Sequence, residues 1–332
     1  MRITGFVVGF GLLAAPALGA PLYSFQNFDI GPKNTVFAGI NGAGEVSGYY
    51  ATGATINFSA ALQGFVRSPS GTITLLSTEA NPFVPGQVND AGQVAGTFQS
   101  YIGGGPSIGA VYDPITGLFT TVAGSQTVLE GINNIGQVTG FTLDNAPVAL
   151  VLDRTTGHSS TFIPTTNVLA TEPYGINDKG LVVGQYQTYA LAGDDRTQGF
   201  VYDLVAGTST LLTPYASNPA GARSASARGV TDAGVIVGCS VVAGQPAFIR
   251  DAGANYSFFD DPAATGGTCA SSINAAGVIA GFYTDAAGTH GFIATPAATS
   301  AVPEPAGVGL LLLGFVGAGV VRLGRTTSGR AG

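Results

Sequence analysis

The stretch GINDKGLVVGQY, residues 175–186, belongs to a set of six closely similar segments in this chain. The other five are GINGAGEVSGYY (39–50), QVNDAGQVAGTF (87–98), GINNIGQVTGFT (131–142), GVTDAGVIVGCS (229–240) and SINAAGVIAGFY (272–283). Their central glycines are spaced by 48, 44, 44, 54 and 43 residues, so the period is near 44, with insertions in the first and fourth units. Repetition at this period predicts a repeat architecture.

Each segment has the residues of a tight turn between two strands. The Asn or Thr at its third position can bond its side chain back to the backbone, and the Gly three residues later can adopt a positive φ. The alternating V-x-G that follows is typical of a half-buried strand, whose glycine permits another backbone to approach closely. The motif therefore predicts a hairpin.

Two further strands follow in most units, as in GFVYD (199–203) and TSTLL (208–212). Four short strands per repeat are typical of a β-propeller blade. The sixth unit lacks a fourth strand, but YSFQNFD (23–29) is close to YSFFD (256–260) of the fifth unit. We therefore predict an all-β domain over residues 21–297, a six-bladed β-propeller in which residues 23–29 close the last blade. The alternative is an open β-solenoid.

Both ends of the chain have the composition of targeting segments. Residues 1–20 contain one arginine, an apolar run and then small residues, which predicts a secretory signal peptide. Residues 306–321 are apolar or small, and Arg322 and Arg325 follow them. As a helix these 16 residues would rise about 24 Å, at roughly 1.5 Å per residue, which is marginal for a bilayer. They predict a single C-terminal hydrophobic helix at 306–321, within a linker and tail at 298–332, with the preceding domain outside the cytoplasm.

The C-terminal segment resembles the PEP-CTERM sorting tail of Gram-negative bacteria that make exopolysaccharide. The resemblance lies in the motif before the apolar stretch and in the arginines after it, namely Val302, Pro303, Glu304, Pro305, Arg322 and Arg325. It implies transient anchoring in the inner membrane, cleavage by an exosortase-type enzyme and transfer to the cell surface or medium. The alternative is an ordinary anchor that is never cut. The repeat motif, with THGFI at 289–293, resembles HAF-type extracellular repeats, which implies a structural role.

Composition restricts the partners. The formal net charge is −7 and only 9 % of residues are charged. Because an acidic surface repels phosphate backbones, nucleic-acid binding is excluded, and neutral glycans or divalent cations are favoured. The two cysteines, Cys239 and Cys269, are too few for a metal cluster or a disulfide scaffold. They lie one repeat apart, so in an oxidising compartment we expect either one disulfide or two buried thiols.

Several residues are candidates for chemistry. His158 and His290, the two histidines, lie far apart in the repeat order, which excludes a multi-histidine metal site. The pairs Asp194-Asp195 and Asp260-Asp261 could serve glycoside hydrolysis across a cleft. Adjacent residues alternate sides on a strand, however, so solvated turns are the simpler interpretation.

Two further groups of residues are candidates for binding. The insertion at 215–228 holds Tyr215, Arg223 and Arg228, which could stack on a sugar ring or bind a carboxylate; the alternative is a tolerated surface insertion. The repeated turn residues are expected on one face of the disc, where their oxygens could bind Ca²⁺, although the turns themselves need them. These residues are Asn41, Asn89, Asp90, Asn133, Asn134, Asn177, Asp178, Asp232 and Asn274.

Together these features predict an exported surface or matrix protein that acts as a non-enzymatic binding or structural module, with exopolysaccharide as the expected ligand. The alternative is a polysaccharide-modifying hydrolase or lyase on a propeller scaffold, and a third hypothesis is a protein-interaction scaffold. The non-enzymatic hypothesis is favoured because no constellation stands outside the repeat pattern, whereas catalysis normally requires residues that break it.

Overall fold

The structure is a computed structural model that describes residues 23–31, 33–51, 62–76, 82–99, 106–122, 126–143, 147–188, 197–215 and 224–297. The expected signal peptide and the tail at 298–332 lie outside the described residues. In the described part of the chain no helix is long and apolar enough to cross a membrane.

The described residues form 24 strands in six four-stranded antiparallel sheets, one per blade. Blade 1 contains β2 (Lys33–Ile40), β3 (Val46–Ala51), β4 (Leu62–Arg67) and β5 (Ile73–Leu75). Blade 2 contains β6 (Phe83–Val88), β7 (Val94–Phe98), β8 (Ile108–Asp113) and β9 (Leu118–Thr121). Blade 3 contains β10 (Thr127–Ile132), β11 (Gln137–Thr142), β12 (Val148–Asp153) and β13 (Ser159–Phe162). Blade 4 contains β14 (Val168–Ile176), β15 (Leu181–Thr188), β16 (Thr197–Asp203) and β17 (Thr208–Leu212). Blade 5 contains β18 (Ala225–Val230), β19 (Ile236–Ser240), β20 (Ala247–Arg250) and β21 (Tyr256–Phe259). Blade 6 contains β22 (Gly267–Ile273), β23 (Ile279–Thr284), β24 (Thr289–Pro296) and β1 (Tyr23–Phe28). The predicted six-bladed β-propeller is confirmed.

The N-terminal strand closes the ring. β1 pairs antiparallel with β24 along its whole length, with Phe25 opposite Ala294, and so forms the outermost strand of blade 6. The prediction for residues 23–29 is thereby confirmed, and the open solenoid is excluded. The Phe25 ring packs edge-on against Phe292, 5.5 Å away, which anchors the closing strand in the core of that blade.

The glycine of each V-x-G segment makes room for the blade core. At Gly281 a Cβ atom would lie 2.7 Å from Cζ of Phe292 and would strike the backbone carbonyl of Cys269 on the first strand. The corresponding rings in other blades, Phe65, Phe200 and Phe248, are fully buried against equivalent glycines. The expectation of close backbone approach at these glycines is confirmed. Any larger residue at these positions would overpack the core of the blade.

The turn asparagines join neighbouring blades. In blade 3, Oδ1 of Asn133 accepts the N–H of Gln137 at 2.8 Å and closes its own turn, while Nδ2 donates to the carbonyl of Asn177 in blade 4 at 3.0 Å. The same amide link runs from Asn41 to Asn89, from Asn89 to Asn133, from Asn177 to Thr231, and across the closure from Asn274 to Asn41. We call this set the asparagine ladder.

Blade 5 interrupts the asparagine ladder, because Thr231 stands where the other blades have Asn. Its hydroxyl accepts the N–H of Val235 at 3.2 Å and so closes the turn, but Thr has no amide to donate to the carbonyl of Asn274. The turn needs only an acceptor, whereas the link between blades needs a donor of greater reach.

A disulfide strengthens the same part of the ring. Cys239 on β19 and Cys269 on β22 are bonded to each other, with their Cα atoms 4.8 Å apart. The bond joins the second strand of blade 5 to the innermost strand of blade 6. It therefore crosses the boundary at which the asparagine ladder lacks its link.

Thr231→Asn should complete the asparagine ladder and raise the free energy of unfolding by about 1 kcal/mol, because one buried carbonyl gains a donor. The measurement is urea denaturation of the full chain followed by circular dichroism. Asn133→Thr, which removes the equivalent link from blade 3, is the matched control and should lower the value by a similar amount. A lower midpoint for the Thr231 variant would show that the ladder does not set the stability of this boundary.

His290 binds two aspartates at the end of the closing strand. Nδ1 of His290 lies 2.7 Å from Oδ1 of Asp29, just beyond β1, and Nε2 lies 3.1 Å from Oδ1 of Asp285. Burial alone would lower the pKa of His290, but the hydrogen bonds and charges of Asp29 and Asp285 outweigh burial and raise it. Since the pKa is higher in the folded state, this stabilisation is complete below about pH 6.5 and is lost as pH rises through the folded pKa.

Between pH 6 and pH 8.5, His290→Gln should therefore remove a pH-dependent stabilisation of up to about 1 kcal/mol, a modest value because Asp29 is largely exposed. Thermal unfolding across this range measures it. His158→Gln, in an exposed turn of blade 3, controls for the loss of a histidine. Parallel pH profiles for the wild type and the His290 variant would contradict the assignment.

Candidate functional site

Of the predicted site in the insertion at 215–228, the structure describes Tyr215 and residues 224–228, and Tyr215 is not exposed. Tyr215 is only 4 % exposed, donates its hydroxyl to the carbonyl of Pro246 at 2.6 Å and packs against Phe258. Its ring is therefore part of the core of blade 5 and is not available to stack on a sugar. Arg228 lies on β18 in the central channel, and Arg223 lies outside the described residues.

Of the two acidic pairs, only Asp260-Asp261 lies in the described residues. Asp260 is exposed, but Asp261 is only 2 % exposed, so the expectation of a solvated turn is wrong for Asp261. Its Oδ1 accepts the N–H of Ala263 at 2.8 Å and the amide of Asn27 at 3.3 Å, which ties this turn to the closing strand. Asp194 and Asp195 lie outside the described residues.

The repeated turn residues gather on one face of the disc, as expected, and surround a cavity of about 340 Å³. We call this the turn-face cavity. Its wall carries one apolar side chain from each blade, immediately before the turn: Ile40, Val88, Ile132, Ile176, Val230 and Ile273. Tyr23 of the closing strand also lines it, with its ring stacked on Phe259 at 5.5 Å. An apolar wall with a polar rim is the usual composition of a ligand cavity.

The rim side chains are engaged with one another. Asn134 donates its amide to Oδ2 of Asp90 at 3.0 Å and of Asp178 at 3.2 Å, and Asp178 Oδ1 accepts the backbone N–H of Asn134. Asp232 accepts the N–H of Asp178 in the same way. Among the described residues no three His, Cys, Asp or Glu side chains form a group that could hold a metal ion. The carboxylates of Asp90, Asp178 and Asp232 thus accept hydrogen bonds from neighbouring turns.

A second set of residues reaches the channel through β-bulges. The innermost strand of every blade departs from regular pairing two residues before the end of the strand, and in blade 3 Glu130 is the unpaired residue between Leu129 and Gly131. Such a bulge redirects the side chain of the extra residue. The residues at this position, in blade order, are Ala38, Gly86, Glu130, Tyr174, Arg228 and Ser271, and in blade 2 the bulge also includes Gln87.

These bulged residues line a second cavity of about 160 Å³, which we call the channel cavity. Val36, Tyr49, Val84, Pro85 and Phe282 complete its wall from blades 1, 2 and 6, but the large polar residues at the bulge position are one-sided. Blades 3, 4 and 5 contribute Glu130, Tyr174 and Arg228, whereas blades 1, 2 and 6 contribute only Ala, Gly and Ser at the same position. The small residues leave space opposite the large polar ones, so the cavity is built from the variation between repeats.

Gln87 separates the two cavities and lines both. Its Nε2 lies 3.1 Å from the carbonyl oxygen of Ser271, 3.3 Å from that of Arg228 and 3.4 Å from that of Ala38. Its Oε1 accepts the hydroxyl of Ser272 at 2.7 Å. The side chain of Gln87 thus contacts blades 1, 5 and 6 and spans the channel.

The polar wall of the channel cavity is a connected network. The guanidinium of Arg228 lies over the Tyr174 ring, 4.6 Å from its centre, and the Tyr174 hydroxyl donates to Oε2 of Glu172 at 2.9 Å. Gln185 donates its amide to the same oxygen at 2.7 Å. Burial raises the pKa of Tyr174 well above its usual value, with the nearby glutamates adding to the effect and Arg228 opposing it, so the phenol keeps its proton.

Glu130 has the most altered carboxyl group of this network. Burial raises the pKa of Glu130 to about 7, Arg228 opposes the shift and Glu172 adds to it. Two carboxylates therefore lie near one arginine, and one of them exchanges its proton close to neutrality. A group of this kind is typical of functional sites, although buried structural networks also produce it.

Sequence reasoning found Arg228 but placed it in the wrong environment, and it missed Glu130, Glu172, Tyr174 and Gln87. The expectation that no constellation breaks the repeat pattern is wrong. The missed signal is the residue two positions before the Ile or Val that precedes each turn. That position varies from Ala to Arg, whereas the next residue is Gly in four of the six units and the one after it is always Ile or Val.

No protein-family model matches the chain, and no curated protein matches it. Solved structures similar to it include a virginiamycin B lyase from Staphylococcus aureus, with a TM-score of 0.44, 10 % identity and coverage of 82 % of this chain and 99 % of that chain. They also include the β-propeller domain of the Trilobed protease from Pyrococcus furiosus, with a TM-score of 0.48, 11 % identity and coverage of 79 % and 82 %. Likeness at this level carries no argument about activity or ligand.

Proposed function

We propose that this protein is an exported binding module that holds a neutral glycan of the extracellular matrix in the turn-face cavity. The supporting observation is that cavity, whose volume of about 340 Å³ is at the lower end of the usual range for small-ligand sites. Its apolar wall suits the C–H faces of a sugar ring, and the Tyr23 ring at its edge offers a stacking surface.

The charge of the molecule favours a neutral glycan over an acidic one. Asp90 and Asp232 are exposed on the rim, and the chain has a formal net charge of −7. Anionic polysaccharides would be repelled during approach, whereas neutral sugars would not. The glycan therefore belongs to the neutral class of exopolysaccharides.

Export and processing form the second part of the proposal. The signal peptide at 1–20 directs secretion, the segment 306–321 anchors the chain transiently in the inner membrane, and an exosortase-type enzyme cuts near Pro303-Glu304-Pro305. The propeller then reaches the cell surface or the medium.

The intact mass of the protein recovered from the culture medium tests this processing. A C-terminus near Pro305 is expected, and a chain that keeps Arg322 and Arg325 would contradict it.

Binding is tested with the full chain and the matrix polysaccharide purified from the producing bacterium. Ile132→Phe fills the turn-face cavity and should weaken binding at least tenfold. Ile135→Phe is the matched control, because Ile135 is 52 % exposed on the same turn and does not line the cavity. The control should bind like the wild type. Equal binding by both variants, with unchanged melting temperatures, would refute the turn-face cavity as the site.

A polysaccharide-modifying enzyme is the second candidate, and the observation that favours it is the pair Glu130 and Glu172. Two carboxyl groups in different environments can divide the acid and base roles of glycoside cleavage. The same incubation decides between the candidates if new sugar ends are counted. New ends that disappear in Glu130→Gln would replace the binding module with an enzyme.

A further inference from the structure

We propose that the channel cavity is a second binding site, which takes a small carboxylate held by Arg228 and Ser271. Within the described ranges, Gln87 is the one lining residue that it shares with the turn-face cavity, and the groups proposed to hold its ligand line the channel cavity alone. It is therefore independent of the glycan site proposed above.

The first argument is an unmet need for hydrogen bonds. Nε of Arg228 and Oγ of Ser271 are both buried and have no hydrogen-bond partner in the protein. Both residues line the channel cavity, from the neighbouring blades 5 and 6. An unpaired buried donor, above all a charged one, is costly, so a ligand oxygen that accepts from both groups is stabilised there.

The second argument is size. A cavity of 160 Å³ is well below the range of about 300–1,000 Å³ typical of drug-sized ligands, and it holds the equivalent of about five water molecules. The small residues Ala38 and Gly86 create this space opposite the arginine. The ligand is therefore a molecule of a few heavy atoms, or one substituent of a larger molecule.

The third argument is charge. Arg228 is faced by Glu172, Glu130 and the Tyr174 ring, and Glu172 already accepts hydrogen bonds from Tyr174 and Gln185. When Glu130 is protonated its carboxyl group becomes a third donor and no longer offers a negative charge to Arg228. Arginine binds carboxylates through strong charge-assisted hydrogen bonds, so a ligand carboxylate completes the set.

Binding should then be coupled to the protonation of Glu130. Its carboxyl group has a pKa of about 7, and above that pH the ionised form repels a second negative charge next to it. Affinity for the carboxylate is expected to fall as pH rises from 6 to 8. Glu130→Gln keeps a neutral hydrogen-bonding side chain and should remove most of this pH dependence.

The test is isothermal titration of the full chain with sodium acetate at pH 6 and pH 8, with methylammonium chloride as the cationic probe. The wild type should bind one acetate and no methylammonium. Arg228→Met should weaken acetate binding at least tenfold. Arg250→Met is the matched control, because Arg250 lies on β20 of the same blade and does not line either cavity, and it should bind like the wild type.

Several outcomes would overturn the proposal: acetate binding that survives Arg228→Met with an unchanged melting temperature, preference for methylammonium, or no acetate binding by the folded wild type. If the Arg228 variant does not fold, Ser271→Ala replaces it and should weaken binding severalfold, since it removes one of the two unpaired groups. Loss of glycan binding in Ile132→Phe leaves this test unaffected, so the two proposals fail separately.

The carboxylate has two sources, which a further titration separates. A free short-chain acid and a carboxyl substituent on a polysaccharide share the same chemistry. Digalacturonate, titrated beside acetate, presents the second form. Binding of acetate alone assigns the site to free acids, whereas comparable binding of both assigns it to polymer-borne carboxylates.

Discussion

The structure depends on one repeated interaction, the amide hydrogen bond from a turn asparagine to the backbone of the next blade. A blade of four short strands cannot bury both of its faces alone, so stability arises at the interfaces between blades. The asparagine meets two requirements with one side chain, since its oxygen closes the turn and its nitrogen joins the neighbour, as Asn133 does. The period of the sequence is therefore also the spacing of its inter-blade bonds.

The stability of the propeller is limited by the boundaries at which the ring of links closes or lacks a link. The chain treats the two boundaries of blade 6 differently. The boundary with blade 5 lacks an amide link at Thr231 and carries the disulfide between Cys239 and Cys269. The boundary with blade 1 keeps its amide link from Asn274, while β1 completes blade 6 and His290 fastens its end. Covalent and polar contacts thus concentrate where a propeller can open.

The β-bulges give the ring its chemistry. A regular strand would alternate its side chains between the two faces of the blade, whereas the bulge adds one residue that lines the channel in every blade. Four of these residues are small or neutral in charge, but Glu130 and Arg228 place ionisable groups in half-buried positions along the channel. Such groups cost stability unless they are paired. Their concentration on one side of the channel is the arrangement that a site requires and a purely structural repeat does not.

The sequence by itself determined the architecture, because the repeat period, the Asn and Gly of the turns and the four strands per unit are local patterns with local physical causes. It also indicated the closing strand, since residues 23–29 resemble the missing fourth strand. Only the tertiary structure decided the site. The position of Arg228 depends on a bulge in β18, and its neighbours Glu130 and Tyr174 lie on other blades, 98 and 54 residues away in the chain. Tyr215 showed the converse, because its burial depends on Phe258 and on the carbonyl of Pro246, contacts that no local pattern specifies.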